Sequence, residues 1–174
     1  FGLPCIVVYT FAGNPLRYGL GITAIFLAGG INPDQKLIHL ERNFFGVVKV
    51  ADITSSEGKP FRALFHGNTV HGQVSLEFKD DDGRHEPSTY YHKTGPIGEF
   101  SLGWIKNRPV GQRVAGVGLG TGSLAYYARP GDEWTFYEID PAMQRVAENS
   151  RYFPFMSECR AGAPKVILGD ARLK

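Results

Sequence analysis

Cysteine is nearly absent from this chain. Two positions of 174 carry it, Cys5 and Cys159, too few for a disulfide framework and without the paired spacing of a zinc site. A surplus of either charge sign is also missing. Lys and Arg number 19 against 17 Asp and Glu, a formal charge of +2, so no basic face for a phosphate backbone is expected and nucleic acid is not a predicted partner. There is no long hydrophobic run either: Phe1–Leu16 and Tyr18–Pro33 are uncharged stretches of 16 residues each, whereas a spanning helix takes roughly 17 to 25 apolar residues. Nor is there a deficit of apolar residues, at 43% of the chain, which excludes a disordered tail.

What is present is unevenly distributed. Residues 1–35 carry only Arg17 and Asp34, and every other charged side chain follows them. Residues 1–33 are therefore expected to form apolar helix, over about 3–30, that associates with a membrane. Gly19, Gly21, Gly29 and Gly30 give it the small-residue content that membrane helices tolerate. A pair of helices buried in a soluble core is the alternative. A signal peptide is not expected, because the positively charged start is missing. Phe1 is not an initiator methionine, and the chain is expected to begin and to end inside a longer polypeptide.

From Lys36 the pattern becomes strand-like, with β-branched and aromatic runs at 37–40, 44–50, 61–65 and 74–78. Turn chemistry separates them: Ser55–Pro60 joins two runs, and Asp80-Asp81-Asp82-Gly83 reads as a hairpin tip. A small antiparallel β unit over 36–95 is predicted. His66 and His71, five apart on extended chain, are expected to face opposite ways, so neither they nor the aspartate run imply a metal. Glu86–Lys93, with Tyr90-Tyr91-His92 near a Pro- and Gly-rich stretch, suits a site lining and equally a packed surface loop.

The last third is the most informative. A short apolar run, Arg113–Val117, enters Gly118-Leu119-Gly120-Thr121-Gly122, and Leu124–Ala128 can begin a helix. The glycines allow a tight turn and the approach of a ligand to backbone amides. A second strand, Trp134–Tyr137, ends in Glu138-Ile139-Asp140, with Asp140 as a helix cap and Pro141 in the first turn. An acidic residue about 20 positions beyond the glycines, at the carboxyl end of the next strand, is where a Rossmann-type sheet holds a ribose hydroxyl pair. A third strand, Lys165–Leu168, ends in Gly169-Asp170-Ala171-Arg172. Three strand ends thus converge on one edge as a nucleoside site. The P-loop signature is missing, and the glycine spacing favours S-adenosyl transferases over dinucleotide enzymes. The fold class predicted is α/β: apolar helices, an antiparallel β unit, then the first half of a Rossmann-like sheet over 96–174.

Gly118–Gly122, Glu138–Pro141 and Gly169–Arg172 resemble the adenosyl-binding motifs of the spermidine synthase (polyamine aminopropyltransferase) family. Arg42–Gly46, Phe65-His66-Gly67 and Tyr90-Tyr91-His92 resemble its N-terminal β domain, particularly in bacterial members fused behind membrane helices. The resemblance covers roughly 37–174. It implies transfer of an aminopropyl group from decarboxylated S-adenosylmethionine to an amine, without a metal. Gly118, Gly120, Gly122, Glu138, Ile139, Asp170 and Ala171 would hold the donor, with Glu138 on the ribose and Asp170 and Ala171 on the adenine. Tyr91, His92 and Thr121 would face the acceptor. The family's catalytic aspartate is expected downstream of Lys174, so this stretch alone is expected to be inactive.

Three departures concern the acceptor. Gly46 stands where the family has glutamine, Thr121 where a loop aspartate grips the polyamine, and Lys93 where a carboxylate follows the Tyr-His pair. Poor use of putrescine is the expectation, with Thr121→Asp and Lys93→Glu improving it. Methyl transfer from S-adenosylmethionine itself, or a non-catalytic, membrane-tethered adenosyl-binding module, remain the alternatives. Because S-adenosyl donors are cytosolic, residues 36–174 are expected on the cytoplasmic side. A homo-oligomer is left open.

Overall fold

The computed structural model describes residues 2–30 and 35–173, which divide into two compact units, Phe1–Gln35 and Lys36–Lys174. The first is a pair of helices, α1 (Gly2–Tyr9) and α2 (Pro15–Gly30). Pro15 begins α2, where its missing N–H leaves no helical bond unmade, and the Asn14 side chain accepts the Arg17 N–H at 3.2 Å. The helices meet where Gly21 faces Val8, so closely that a β-carbon on Gly21 would lie 2.8 Å from a Val8 methyl. The apolar helix expected over about 3–30 is two helices separated at 10–14. α2 extends for about 24 Å at the helical rise, short of the roughly 30 Å bilayer core, and among the described residues no helix is long and apolar enough to cross a membrane. Positions 31–33 of the expected apolar segment, and Phe1, lie outside the described residues.

The second unit holds two sheets. β1 (Gln35–Asn43), β2 (Gly46–Thr54), β3 (Pro60–His66) and β4 (Thr69–Ser75) form a sheet in sequence order. Its β2–β3 and β3–β4 pairs are antiparallel, with Val50 opposite Leu64 and Ala63 opposite Gln73. Two strand expectations are corrected. Phe44 and Phe45 form a turn rather than the start of a strand, because the Asn43 side chain accepts the N–H groups of Phe45 and Gly46 at 2.8 and 3.2 Å. The fourth strand is 69–75, not 74–78, since the chain reverses at Gly67–Asn68. Asp80–Gly83 is a turn but joins no pair of strands. It is fixed by the Asp80–Arg84 ion pair at 3.2 Å and by Tyr126, whose hydroxyl donates to Asp80 at 2.9 Å.

The other sheet is parallel, β5 (Arg113–Val117), β6 (Glu133–Glu138) and β7 (Lys165–Leu168) in that order. Helix α3 (Pro96–Lys106) precedes it, and α4 (Pro141–Glu148) leaves the end of β6. The Asp140 carboxylate accepts the Ala142 N–H at 2.8 Å, as expected of a cap. The helix expected after the glycines is a 3₁₀ segment, Ser123–Tyr127. The β unit and the α/β part do not stand apart. Val48, Val50, Leu64 and Val74 of the first sheet share one hydrophobic core with Ala142, Met143, Val146, Phe153 and Phe155.

Candidate functional site

The ends of β5, β6 and β7 open on a cavity of about 380 Å³ lined by Val117, Gly118, Glu138, Ile139, Asp170 and Ala171, with Tyr137, Gly169 and Arg172 beside them. Five residues singled out from the sequence, Gly118, Glu138, Ile139, Asp170 and Ala171, therefore meet at one place. The parallel ladder carries them there, since the Gly118 N–H bonds the Tyr137 carbonyl and the Gly169 N–H the Glu138 carbonyl, each at 2.8 Å.

Glu138 is the pivot of this cavity. Its side chain is buried, 7% exposed, and fixed by two backbone donors: the Leu119 N–H reaches Oε2 at 2.8 Å and the Asp140 N–H reaches Oε1 at 2.9 Å. A carboxylate offers about four acceptor positions. One bond to each oxygen therefore orients the group and leaves one position per oxygen for a ligand. Asp170 is held differently. Arg172 donates to both its oxygens, at 3.1 and 3.2 Å through Nε, and this hydrogen bonding keeps the Asp170 carboxyl below its ordinary pKa.

The remaining glycines do not line the cavity. Gly120 lies against the His71 carbonyl. Gly122 has φ +78° and sits so near Met156 that a β-carbon would lie 2.8 Å from its Cγ, so the loop needs glycine there for both conformation and space. Thr121 does not reach a ligand surface either. It is 1% exposed, its hydroxyl is 2.6 Å from that of Ser123, and it packs on Gly72 of β4.

β4 links this loop to a second cavity. His71 occupies the register shift between β3 and β4, where Leu64 pairs with Gly72 but Phe65 with Val70. Such a bulge turns a side chain off the regular alternation. As a result the His66 and His71 rings meet at 5.8 Å, contrary to the expectation that they face apart. Burial, then the neighbouring His66, lowers the pKa of His71, and Glu138 opposes the shift.

Beyond His71, Gln73 and Ser75 line a cavity of about 640 Å³ together with Glu86, Thr89, His92 and Thr94. His92 is thus placed at an opening, its Nδ1 2.9 Å from the Thr94 hydroxyl and its Nε2 3.7 Å from Glu86. The expected Tyr91 does not line it. Its carbonyl accepts the Tyr127 hydroxyl at 2.5 Å, and burial, with Tyr90 alongside, raises its phenol pKa. Glu86 opens the stretch expected as a site lining, whereas Gln73 was not singled out from the sequence. The signal for Gln73 was the alternation of polar His71, Gln73 and Ser75 with Gly72 and Val74, which marks one solvated strand face.

Comparison with protein-family models, with curated proteins and with solved structures returns no match.

Proposed function

We propose that residues 36–174 carry the donor site of an S-adenosyl-dependent transferase of the spermidine synthase type, which passes an aminopropyl group from decarboxylated S-adenosylmethionine to an amine. The observation that supports this most is the Glu138 carboxylate, buried and held by two backbone amides at a cavity where three parallel strands end. That arrangement suits a vicinal diol, because each oxygen keeps an acceptor position for one hydroxyl. Val117 and Ile139 give the cavity apolar walls for a base, and Asp170 stands at its edge.

In the proposed reaction a neutral amine attacks the carbon attached to the sulfonium. A carbon–nitrogen bond forms, the carbon–sulfur bond breaks, and its electron pair cancels the charge on sulfur, releasing methylthioadenosine. The attacking nitrogen then gives up one proton. The donor cavity contributes orientation of the electrophile, and the second cavity, with His92, is the proposed acceptor side.

The test is calorimetric titration of the chain with methylthioadenosine. Glu138→Ala is expected to weaken binding about tenfold or more, because a hydrogen bond to a charged group contributes roughly 1.5 to 3 kcal/mol. An unchanged dissociation constant would remove the ribose assignment. Preference for S-adenosylmethionine over its decarboxylated form would favour methyl transfer instead.

We also propose that α1 and α2 associate with a bilayer, leaving residues 36–174 on the cytoplasmic side where S-adenosyl donors occur. Both helices expose apolar side chains, among them Leu3, Ile6, Leu20, Phe26 and Leu27. The hydroxyls of Thr10 and Thr23 are bonded back to the carbonyls of Val7 and Gly19, as an apolar solvent requires.

A further inference from the structure

Much of the polar lining of the 640 Å³ cavity is already bonded within the chain. The Ser75 hydroxyl accepts the N–H groups of Glu77 and Phe78 at 3.2 and 3.0 Å. The Thr89 hydroxyl donates to the Ser88 carbonyl at 2.6 Å, and Thr94 is held against His92. Lys59 pairs with Glu57 at 2.7 Å, and Lys93 Nζ lies 2.6 Å from Oε1 of Glu86. Lys79 also lines the neighbouring recess, which holds Asp81. What the cavity keeps for a ligand is Oε2 of Glu86, with His92 Nε2 beside it, and the Gln73 carboxamide, which makes no hydrogen bond among the described residues.

The apolar lining is aromatic. Phe61 of β3 stands directly opposite Ser75 of β4, so their side chains share a face, and both line the cavity. The bonds to Ser75 hold the turn that carries Phe78 to the same cavity. Lys59 Nζ stands over the Phe78 ring, 5.6 Å from its centroid, and the residue is still 53% exposed. The antiparallel bridge between Val74 and Pro87 brings Glu86 alongside. A diamine suits this lining poorly, because each ammonium loses hydration unless an acceptor meets it and Glu86 is the one carboxylate in the lining among the described residues. Asp81, which makes no ion pair among the described residues, belongs to the neighbouring recess, with Lys79 and Lys93 in the same lining. A single amine carried on an aromatic ring suits both parts of the cavity. Its nitrogen meets Glu86 beside His92, and its ring lies against Phe61 and Phe78, where aromatic pairs gain from buried area and from offset or edge contacts. We propose that this cavity binds an arylalkylamine, one amine on a short chain bearing an aromatic ring, in preference to an aliphatic diamine. Naming that amine as the acceptor rests on the donor-site proposal above; the binding preference does not.

Phenethylamine, n-butylamine and putrescine separate ring from charge, since the first two differ in the ring and the last two in the second ammonium. Each is titrated into the chain by calorimetry at low ionic strength, with methylthioadenosine measured on the same preparation. Phenethylamine is expected to bind at least about tenfold more tightly than either of the others. Phe78→Ala should remove most of that advantage, Phe78→Tyr should keep it, and Glu86→Gln should weaken phenethylamine and n-butylamine alike. Phe78 is exposed, and an unchanged far-ultraviolet circular dichroism spectrum shows that each variant is folded. No measurable binding of phenethylamine, equal or tighter binding of putrescine, or an advantage untouched by Phe78→Ala overturns the proposal. Tight putrescine binding that Asp81→Asn weakens would overturn it by joining the two recesses in one diamine site. Loss of methylthioadenosine binding alone, with the preference retained, would instead overturn the donor site and leave the aromatic assignment standing.

Discussion

Thr121 shows how a single residue can carry the right motif position and the wrong environment. Its place in the glycine loop suggested a ligand contact, yet the side chain is enclosed between Gly72 and Ser123. The expected gain in diamine use from Thr121→Asp is therefore replaced by its opposite. A carboxylate enclosed between Gly72 and Ser123 loses its hydration, and Thr121→Asp should lower the thermal midpoint of unfolding by several degrees, measured by differential scanning calorimetry. His71 makes a prediction of a different kind. Burial first, and His66 second, lower its pKa in the folded chain, so the unfolded chain takes up the proton at higher pH than the folded one. Above the ordinary histidine value of about 6.5 this group has no effect on stability; as pH falls below it, stability is lost until the folded state also protonates. Replacing His71 with Gln should reduce the drop in melting temperature between about pH 7.5 and about pH 5.5.

At the scale of elements, the strand ends and the β2–β3 hairpin at Ser55–Pro60 were legible, and the turns on either side of that pair were not. The approach of Gly118, Glu138 and Asp170 follows from spacing alone, because in a parallel sheet each strand end must appear on the same edge. The cap at Asp140 and Pro141 followed from local chemistry in the same way. The β1–β2 turn was hidden because Phe44 and Phe45 carry strong strand propensity while the deciding interaction comes from the Asn43 side chain. The β3–β4 hairpin was hidden because residues 69–73 offer only Val70 as an apolar strand former, while Val74–Phe78 carries the stronger strand propensity. One clamp between elements had no sequence signal at all. Arg129 pairs with Asp132 at 3.0 Å and donates to the carbonyls of Ile105 in the last turn of α3 and of Arg108 and Pro109 beyond it, while Asp132 accepts the N–H groups of Gly111 and Gln112 ahead of β5. Arg129→Ala strands a carboxylate whose side chain is 1% exposed. It should cost roughly 3 kcal/mol, read from chemical denaturation.

For the whole molecule, the mixed α/β class and the parallel half-sheet were legible in the change of hydrophobic period. The break between the apolar helices was marked by Asn14 and Pro15, but the end of α1 at Tyr9 was not, because residues 10–13 are as uncharged as the helix before them. Removing residues 1–35 should raise the concentration at which the chain stays soluble and leave methylthioadenosine binding as it was, since every residue lining the donor cavity lies in Lys36–Lys174. A shortened chain that loses binding would show that the helices belong to the folded core. The core shared by Val48, Leu64 and Val74 with Met143, Phe153 and Phe155 also bears on how the larger unit comes apart. The inner face of β2–β4 cannot be exposed without uncovering α4, whose Ala147 packs in turn with Trp134 and Phe136 of β6, and Asn43, donating to Asp140 at 2.6 Å, joins the end of β1 to the cap of that helix. Slow-exchanging amides in β2 and β3 should therefore open in the same event as those in β6 and α4, at one denaturant midpoint, and the meander should not persist as a kinetic intermediate.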